Sequence, residues 1–421
     1  MTADPSSRSS LATLLALNRT VAVVLLTVLL VGMGENLWRP FMPAYLKALA
    51  SPESGSVIGW QDLWPVAVFA FLINIFEGCC YVGGGQLTAR LGDRGSLLLF
   101  GSLTVVGYVV FLTIQSDAAA VLAALLIVGW EPLSVPVTFT TVGSTVKESN
   151  RGMAFAVQSI QKRLPRMLGP ALAGFVLSRV IAYYGDPEVG RIVGMQVLVG
   201  ISLLLALVTL AVQACWMPHH PAPPPGPPAR DVLRQMHPTL RRLLVAEILT
   251  RWCDWLVREY VVLYVLFVRG VSDLDFGLLM AAASFTSLCT YLPIGRLTQV
   301  VGGQPFIGLT FVFFALFPLS LALMPTEWLL AAFIVYGLRE IGEPARKALI
   351  TSLWPEAIRA RGIGYYWGTR TFAMCWSSLV GGVLWYAFGP ETLLFCASGF
   401  GCAGAVFFHL FCRTPAASAS P

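Results

Sequence analysis

The chain has 421 residues, of which 56% are hydrophobic and only 12% are charged, and its mean hydropathy is +0.73. A soluble protein of this length needs more charged residues on its surface, so the composition excludes a soluble globular class and predicts a protein embedded in a lipid bilayer. The formal net charge of +6 implies no nucleic-acid partner, because the basic residues lie mainly in alternate loops between apolar segments.

A helix needs about 20 apolar residues to cross the hydrocarbon core of a membrane. The sequence contains twelve such segments, six on each side of a proline-rich stretch. The predicted fold class is therefore an all-α membrane protein with twelve transmembrane helices in two pseudo-symmetric six-helix halves. The predicted spans are residues 20–46, 64–88, 96–115, 118–146, 152–180, 190–215, 240–268, 274–298, 304–324, 327–352, 361–388 and 390–412.

The same pattern predicts how the chain is divided. Two six-helix bundles are joined by a linker whose seven prolines from 218 to 228 rule out a helix and predict an extended spacer. The predicted parts are an N-terminal tail at 1–19, an N-terminal bundle at 20–215, the linker at 216–239, a C-terminal bundle at 240–412 and a C-terminal tail at 413–421.

The charged loops predict the orientation of the chain. Arg90 and Arg94 follow the second span and Arg230 and Arg234 precede the seventh, whereas Asp186 and other acidic residues occupy the opposite loops. Because basic loops remain in the cytoplasm, we expect a multi-pass protein of the cell membrane with cytoplasmic termini, tails and linker.

A short motif occurs once in each predicted half. Residues 85–88, Gly-Gln-Leu-Thr with a closing Gly92, recur 210 residues later as 295–298, Gly-Arg-Leu-Thr with a closing Gly302. The dipeptide Arg151-Gly152 recurs at the same offset as Arg361-Gly362. A duplicated bundle of apolar helices is typical of secondary transporters.

The loop after each copy resembles the signature loop of the major facilitator superfamily, Gly-x-Leu-x-Asp-Arg-x-Gly followed by basic residues. The acidic position is a departure, since it is Ala89 in the first copy and Gln299 in the second. The resemblance implies a cytoplasmic gate loop that helps to hold an outward-open state. The matching gate residues are Gly85, Leu87, Arg90, Gly92 and Arg94 in the first copy and Gly295, Leu297 and Gly302 in the second.

Predicted helix five contains a second resemblance. Gly169-Pro170, followed by Ala173-Gly174, is similar to the Gly-Pro-x-x-Gly-Gly sequence of many exporters in the superfamily. The resemblance implies efflux. The alternative is ordinary packing of small residues beside a proline kink.

Ionisable residues at membrane depth are the candidates for binding substrate or protons, because such groups are costly in hydrocarbon. The candidates are Glu35, Arg39, Glu77, Glu131, Lys162, Arg166, Asp254, Arg258, Glu343 and Arg370. Arg251 shares a helical face with Asp254, and Arg339 and Lys347 share a face with Glu343.

Each candidate has a structural alternative. The spacing of four residues makes Glu35–Arg39 and Asp254–Arg258 possible neutralising pairs within one helix. Lys162 and Arg370 are either ligands of an anionic substrate or counter-ions of Glu131 and of acids in helices seven and ten.

Glu77 is a candidate for protonation, because no basic residue stands three or four positions from it in the sequence and a buried carboxyl favours its neutral form. The alternative is a hydrogen bond to a neighbouring helix.

The predicted function is secondary active transport, namely proton-coupled efflux of a small amphipathic metabolite or drug by alternating access, with the substrate bound between the halves. One alternative is a proton-coupled symporter or exchanger for an organic anion, bound by Lys162, Arg258 and Arg370. Another, of a different class, is a non-transporting sensor or scaffold. Sodium is the alternative coupling ion, because carboxylates and freed carbonyls also bind it.

No enzyme activity, cofactor or metal is expected. The sequence has no nucleotide-binding Gly-x-x-x-x-Gly-Lys run, no serine–histidine pair in the spans and no metal-ligand spacing among its nine cysteines. The superfamily resemblance implies a monomer.

Overall fold

A computed structural model describes residues 19–50, 58–134, 161–217, 229–355 and 358–412. All regular secondary structure in these ranges is helical. Residues 1–18 and 413–421 of the predicted tails, residues 218–228 of the predicted linker and the region 135–160, which includes Arg151-Gly152, lie outside the described residues.

The first part of the chain contains six described helices, and residues 130–134 are also helical. A short 3₁₀ turn, Arg39–Phe41, joins the first two. The Ser116 hydroxyl caps the fourth by accepting a hydrogen bond from the Ala119 N–H. The six are α1 (Arg19–Trp38), α2 (Met42–Ala50), α3 (Trp60–Thr113), α4 (Asp117–Val128), α5 (Arg163–Tyr184) and α6 (Pro187–Trp216).

The remaining described helices begin with a short amphipathic one. A π-helical turn, Tyr264–Val268, follows the third of them. The helices are α7 (Ala229–Arg234), α8 (Pro238–Val257), α9 (Val261–Leu263), α10 (Asp273–Val301), α11 (Gln304–Leu323), α12 (Leu329–Leu338), α13 (Glu343–Ser352), α14 (Arg359–Met374), α15 (Trp376–Phe388) and α16 (Pro390–Phe411).

Ten described helical segments are long and apolar enough to cross a membrane. The predicted spans 240–268 and 327–352 are not among them, although both are largely helical. The first contains several charged residues within α8, and the second is interrupted at 339–342 between α12 and α13. The predicted count of twelve therefore stays a prediction. The ten are Ala22–Ala50, Trp60–Gly84, Arg90–Thr113, Asp117–Ser134, Arg163–Tyr184, Pro187–Trp216, Asp273–Thr298, Gln304–Leu323, Arg361–Phe388 and Pro390–Phe411.

The closing glycines of the repeated motif adopt the same backbone conformation. Gly92 has φ 69° and ψ 173° and kinks α3, and Gly302 has φ 85° and ψ 165° and ends α10. This region of φ is unfavourable for residues with a side chain, so both positions require glycine. The two sequence copies therefore correspond to two structurally equivalent helix ends.

The described chain packs into two compact units. Unit 1 comprises residues 1–39, 80–169 and 196–225, and unit 2 comprises residues 40–79, 170–195 and 226–421, each as far as it is described. The helices α3, α5 and α6 contribute residues to both units. The predicted division into halves at 20–215 and 240–412 stays a prediction.

Unit 2 is built around α8, which packs mainly against α16 and also against α11, α14 and α15. Close approach depends on glycine, since a Cβ atom on Gly404 would lie 2.2 Å from Thr250 Oγ1. Buried apolar residues of α7, α8, α11 and α16, including Leu240, Phe311 and Phe408, form one cluster. This packing holds α8 in place and so positions its polar face.

Candidate transport site

Helix α8 carries three ionisable residues on one buried face. Glu247, Arg251 and Asp254 are four and three positions apart, so they lie along one side of the helix. Glu247 is 0% and Asp254 is 2% exposed. Facing residues come from the segment 339–346 and from α14. We name the set of Glu247, Arg251, Asp254, Arg339, Glu343, Arg346 and Arg370 the arginine cluster; all seven belong to unit 2.

Glu247 is bound by two arginines through the same oxygen. Its Oε2 lies 2.8 Å from Nη1 of Arg346 and 2.9 Å from Nη1 of Arg370. Its other oxygen, Oε1, is buried and has no hydrogen-bond partner among the described residues, and the same holds for the Tyr366 hydroxyl. One side of this carboxylate is thus strongly paired and the other is unsatisfied.

Asp254 pairs with an arginine from the interruption between α12 and α13. Arg339 donates to Asp254 Oδ1, and its guanidinium lies 3.6 Å from the centroid of the Tyr336 ring. Arg258, which the sequence suggests as the partner of Asp254, lies beyond the end of α8 and is exposed, with its guanidinium 5.7 Å from the Trp255 ring centroid. Asp254 therefore takes Arg339 as its close ion-pair partner, and Arg258 acts on it only as a more distant charge, because Asp254 faces the protein interior and Arg258 does not.

Glu343 joins the cluster at the first residue of α13. Its carboxylate forms an ion pair with Arg346 and lies 3.4 Å from Lys347 Nζ and 3.7 Å from Arg251 Nη2. The helix is interrupted just before it, and the Gly342 N–H donates to Thr310 Oγ1 at 2.7 Å. An acidic residue suits the positive end of a helix, and the interruption brings Arg339, Glu343 and Arg346 to α8.

Arg251 has only long ion pairs. Glu343 Oε2 and Asp254 Oδ2 lie 3.7 and 3.9 Å from its guanidinium, and it makes no hydrogen bond to a described residue. The cluster contains four arginines and three carboxylates, and Lys347, whose side chain is 55% exposed, lies at its edge. Glu340 is one more acid that interacts electrostatically with Arg251 and Arg339, so acids and arginines balance and Arg251 is the arginine without a close carboxylate.

Unit 1 contains a smaller charged group. Glu131 Oε1 lies 3.4 Å from Lys162 Nζ and 4.0 Å from Arg166 Nη2. Glu35 and Arg39 form an ion pair within the α1 region, as their spacing suggests. Lys162 is therefore a counter-ion of Glu131 in this structure, and two basic groups face this one carboxylate.

The other predicted site residues are dispersed. Glu77 is partly buried and takes part in at least one polar interaction. Of the gate residues, Arg94 donates to the Ala214 carbonyl, whereas Arg90 is exposed. Gly85 lies within α3, and a Cβ atom on Gly295 would meet no neighbour within 4 Å.

Sequence reasoning missed Glu247 and Arg346. Glu247 stands four residues before Arg251 and seven before Asp254, and Arg346 stands three after Glu343. Continuing each helical face by one turn finds both residues. That Arg370 meets Glu247 required the tertiary structure.

Comparisons with known proteins support a transporter. Residues 24–271 match the Major Facilitator Superfamily, and no curated protein matches the sequence. The fold is similar to the human organic anion transporter MFSD10, with 18% identity over 92% of this chain and 98% of that chain and a TM-score of 0.66.

Two further solved structures extend this likeness. A POT family transporter has 12% identity over 93% of this chain and 96% of that chain, with a TM-score of 0.73. A D-xylose–proton symporter has 15% identity over 94% and 98%, with a TM-score of 0.72. With more than half of its residues matched to the family and its membrane-spanning helical fold, the chain belongs to the Major Facilitator Superfamily and is a multi-pass membrane transporter of small molecules, not an enzyme.

Proposed function

We propose that this protein is a secondary active transporter that moves a small organic anion by alternating access and couples that movement to protons. The single observation that carries the proposal is Arg251, whose side chain is only 15% exposed and whose guanidinium has no carboxylate oxygen of a described residue closer than 3.7 Å. A largely buried arginine without a close carboxylate is costly, and an anion relieves that cost.

The less buried arginines are the expected ligands. Arg251 and Arg370 each expose 15% of their side chains, whereas Arg346 exposes 5%. The Arg251 guanidinium has only the long contacts described above, so its donors remain available to a planar carboxylate, which arginine binds in a bidentate manner. Aromatic rings lie beside the arginines, and the centroid of the Phe314 ring is 4.7 Å from Arg251 Cζ. Such rings suit an anion with an apolar body.

In unit 1, the charged group around Glu131 has more basic than acidic side chains. Lys162 and Arg166 both approach this one carboxylate, so an anion near the group would meet net positive charge. We therefore assign Lys162 and Arg166 to substrate binding in the same proposal. Glu131 is the acid that keeps them in place when no substrate is bound.

Protons are the proposed coupling ion, because four carboxylates in described helices lie beside basic groups whose pairing an anion would change: Glu131, Glu247, Asp254 and Glu343. The human transporter named above acts on organic anions and the xylose transporter is a proton symporter. At these low identities the likeness concerns the fold, so the proposal depends on the charges. We further propose a monomer in the cell membrane with cytoplasmic termini, as the basic loops favour.

Transport by purified protein in proteoliposomes tests the proposal, with a pH-sensitive dye inside. Salicylate, benzoate and succinate are the anionic probes, and xylose and tetraphenylphosphonium are the neutral and cationic comparisons. We expect proton movement with at least one anion, and at least a tenfold loss of its uptake in Arg251→Gln. Arg241→Gln, an exposed arginine on the same helix, is the control. Movement of the cation or the sugar, with none of the anions, would contradict the proposal.

Proton-coupled efflux of an amphipathic metabolite or drug is the second candidate function. The small residues of the helix-five motif favour it: a Cβ atom on Gly174 would lie 2.4 Å from the Asp273 carbonyl oxygen of α10, so the exporter-like sequence forms a real close contact. The direction of proton flow distinguishes the candidates, since efflux by antiport moves protons against the added compound and symport moves them with it.

A further inference from the structure

We propose that Glu247 is the coupling residue of this transporter. An anion that binds Arg370 takes this arginine from Glu247, and the buried carboxylate then takes up one proton from water at Oε1. The carboxylate becomes a neutral carboxylic acid, and the proton leaves when the anion leaves and Arg370 returns. The inference rests on the proposed function, because it requires an anionic substrate.

Arg370 is the arginine that can change partners. Among the described residues its carboxylate partner is Glu247 alone, whereas Arg346 also binds Glu343. Arg370 is also the more exposed of the two, at 15% against 5%. An incoming anion therefore reaches Arg370 first, and Arg346 stays with the cluster.

Glu247 keeps Arg346 but loses one of its two close cationic partners once Arg370 is engaged elsewhere. Its side chain is 0% exposed, so the loss of a neighbouring positive charge, together with the arrival of an anion, favours the neutral, protonated form of the carboxyl. The acceptor site is ready, since Oε1 has no hydrogen-bond partner among the described residues. The Tyr366 hydroxyl lies near enough to Glu247 to interact with it by charge and by a weak hydrogen bond, although neither group has a hydrogen bond of normal geometry to a described residue, so Tyr366 is positioned to meet the new O–H group.

The ionisable groups around Glu247 are mainly arginines, so Glu247 is the carboxyl that Arg370 leaves open to a proton. Helix α11 has no ionisable residue, and the ionisable residues of α15 and α16 form no hydrogen bond or ion pair with Glu247 among the described residues. The charged and titratable neighbours are Arg251 on its own helix, Arg346 from α13, Arg370 and Tyr366 from α14, and, through Arg346, Glu343.

The exchange predicts symport with one proton for each anion. Anion and proton are bound in the same state, so they move together. Because binding takes up one proton, the affinity for the anion falls as the pH rises, by up to about tenfold per pH unit. This sign is opposite to that of an antiporter, in which the substrate displaces the proton.

Calorimetry on the purified full chain tests the inference. Salicylate and succinate are titrated in buffers of different ionisation enthalpy, which reports the protons taken up for each anion bound. We expect about one proton per anion in the wild type. Glu247→Gln is expected to bind the anion without proton uptake and without pH dependence, while Glu391→Gln, an exposed acid on α16, behaves as the wild type.

The outcomes separate the two proposals. Anion binding by the wild type without proton uptake, or undiminished proton uptake by Glu247→Gln, overturns the role of Glu247 and leaves the anion transporter in place. No binding of either anion to folded wild-type protein counts against the proposed function itself.

If Glu247→Gln does not fold, infrared difference spectra of the wild type replace it. Addition of ¹³C-labelled salicylate should produce the C=O band of a protonated protein carboxyl, and its absence overturns the inference.

Discussion

Arg191 and Asp273 form a two-point ion pair in which Nε and Nη2 of the arginine lie 3.2 and 3.0 Å from the two carboxylate oxygens. The pair joins α6 to the first residue of α10 within unit 2. Glu188, one helical turn before Arg191, has its Oε1 3.3 Å from Nζ of the fully buried Lys47. Both cations, Lys47 and Arg191, lie over the ring of Phe267. A bidentate arginine–carboxylate pair at low exposure is the strongest type of ionic contact in proteins.

This pair predicts a large difference between two neighbouring acids. Asp273→Asn leaves the largely covered Arg191 with only Glu188, at 3.7 Å, so we expect a loss of about 3 kcal/mol in stability. Asp275→Asn is the matched control, because Asp275 is exposed in the same helical turn, and we expect less than about 1 kcal/mol. Unfolding in detergent measures both. Equal losses would show that the α6–α10 pair contributes no more than the helix end.

The close contact between α5 and α10 predicts sensitivity to a single methyl group. A Cβ atom on Gly277 would lie 2.3 Å from the Pro170 carbonyl oxygen, whereas one on Gly200 would meet nothing within 4 Å. Gly277→Ala must therefore separate two backbones, and we expect a lower unfolding temperature and a loss of transport. Gly200→Ala should raise or maintain stability, because alanine is the better helix former. A Gly277→Ala variant as stable as the wild type would contradict this contact.

The Asp254–Arg339 pair predicts non-additive effects. Asp254→Asn leaves Arg339 buried without its carboxylate, with an expected cost of about 3 to 5 kcal/mol. The double variant Asp254→Asn with Arg339→Gln removes both charges, so it should be more stable than either single variant. A double-mutant cycle on unfolding free energies measures the coupling. A coupling energy near zero would mean that the two side chains do not depend on each other.

Lys162 predicts a graded effect on anion uptake. Its ammonium group is closer to Glu131 than Arg166 is, and it is less exposed. We therefore expect Lys162→Gln to reduce salicylate uptake about tenfold and Arg166→Gln to reduce it less, since solvent screens the more exposed charge. Arg179→Gln, an exposed arginine later in the same helix α5, is the control. Uptake that is unchanged in Lys162→Gln would remove this residue from the site.

Composition and spacing alone identify the membrane class and most of the helices, and the resemblance of the two repeated loops to a known signature indicates the superfamily. Hydrophobic runs are local properties, and the bilayer imposes a fixed length on them, so Pro187–Trp216 and Pro390–Phe411 follow closely from the printed sequence. The repeated motif also predicts a structural repeat. Gly92 and Gly302 both have a positive φ, which explains why each copy closes on a glycine.

Only the tertiary structure decides which charges meet. Helical spacing correctly pairs Glu35 with Arg39, because both lie on one short stretch of chain, but it assigns Asp254 to Arg258 when burial assigns it to Arg339. Glu247 acquires Arg346 and Arg370 from two other helices. A sequence determines the depth and face of a charged residue through local periodicity, whereas its partner depends on how helices far apart in the chain pack together, and that packing determines which carboxylate is buried between two arginines.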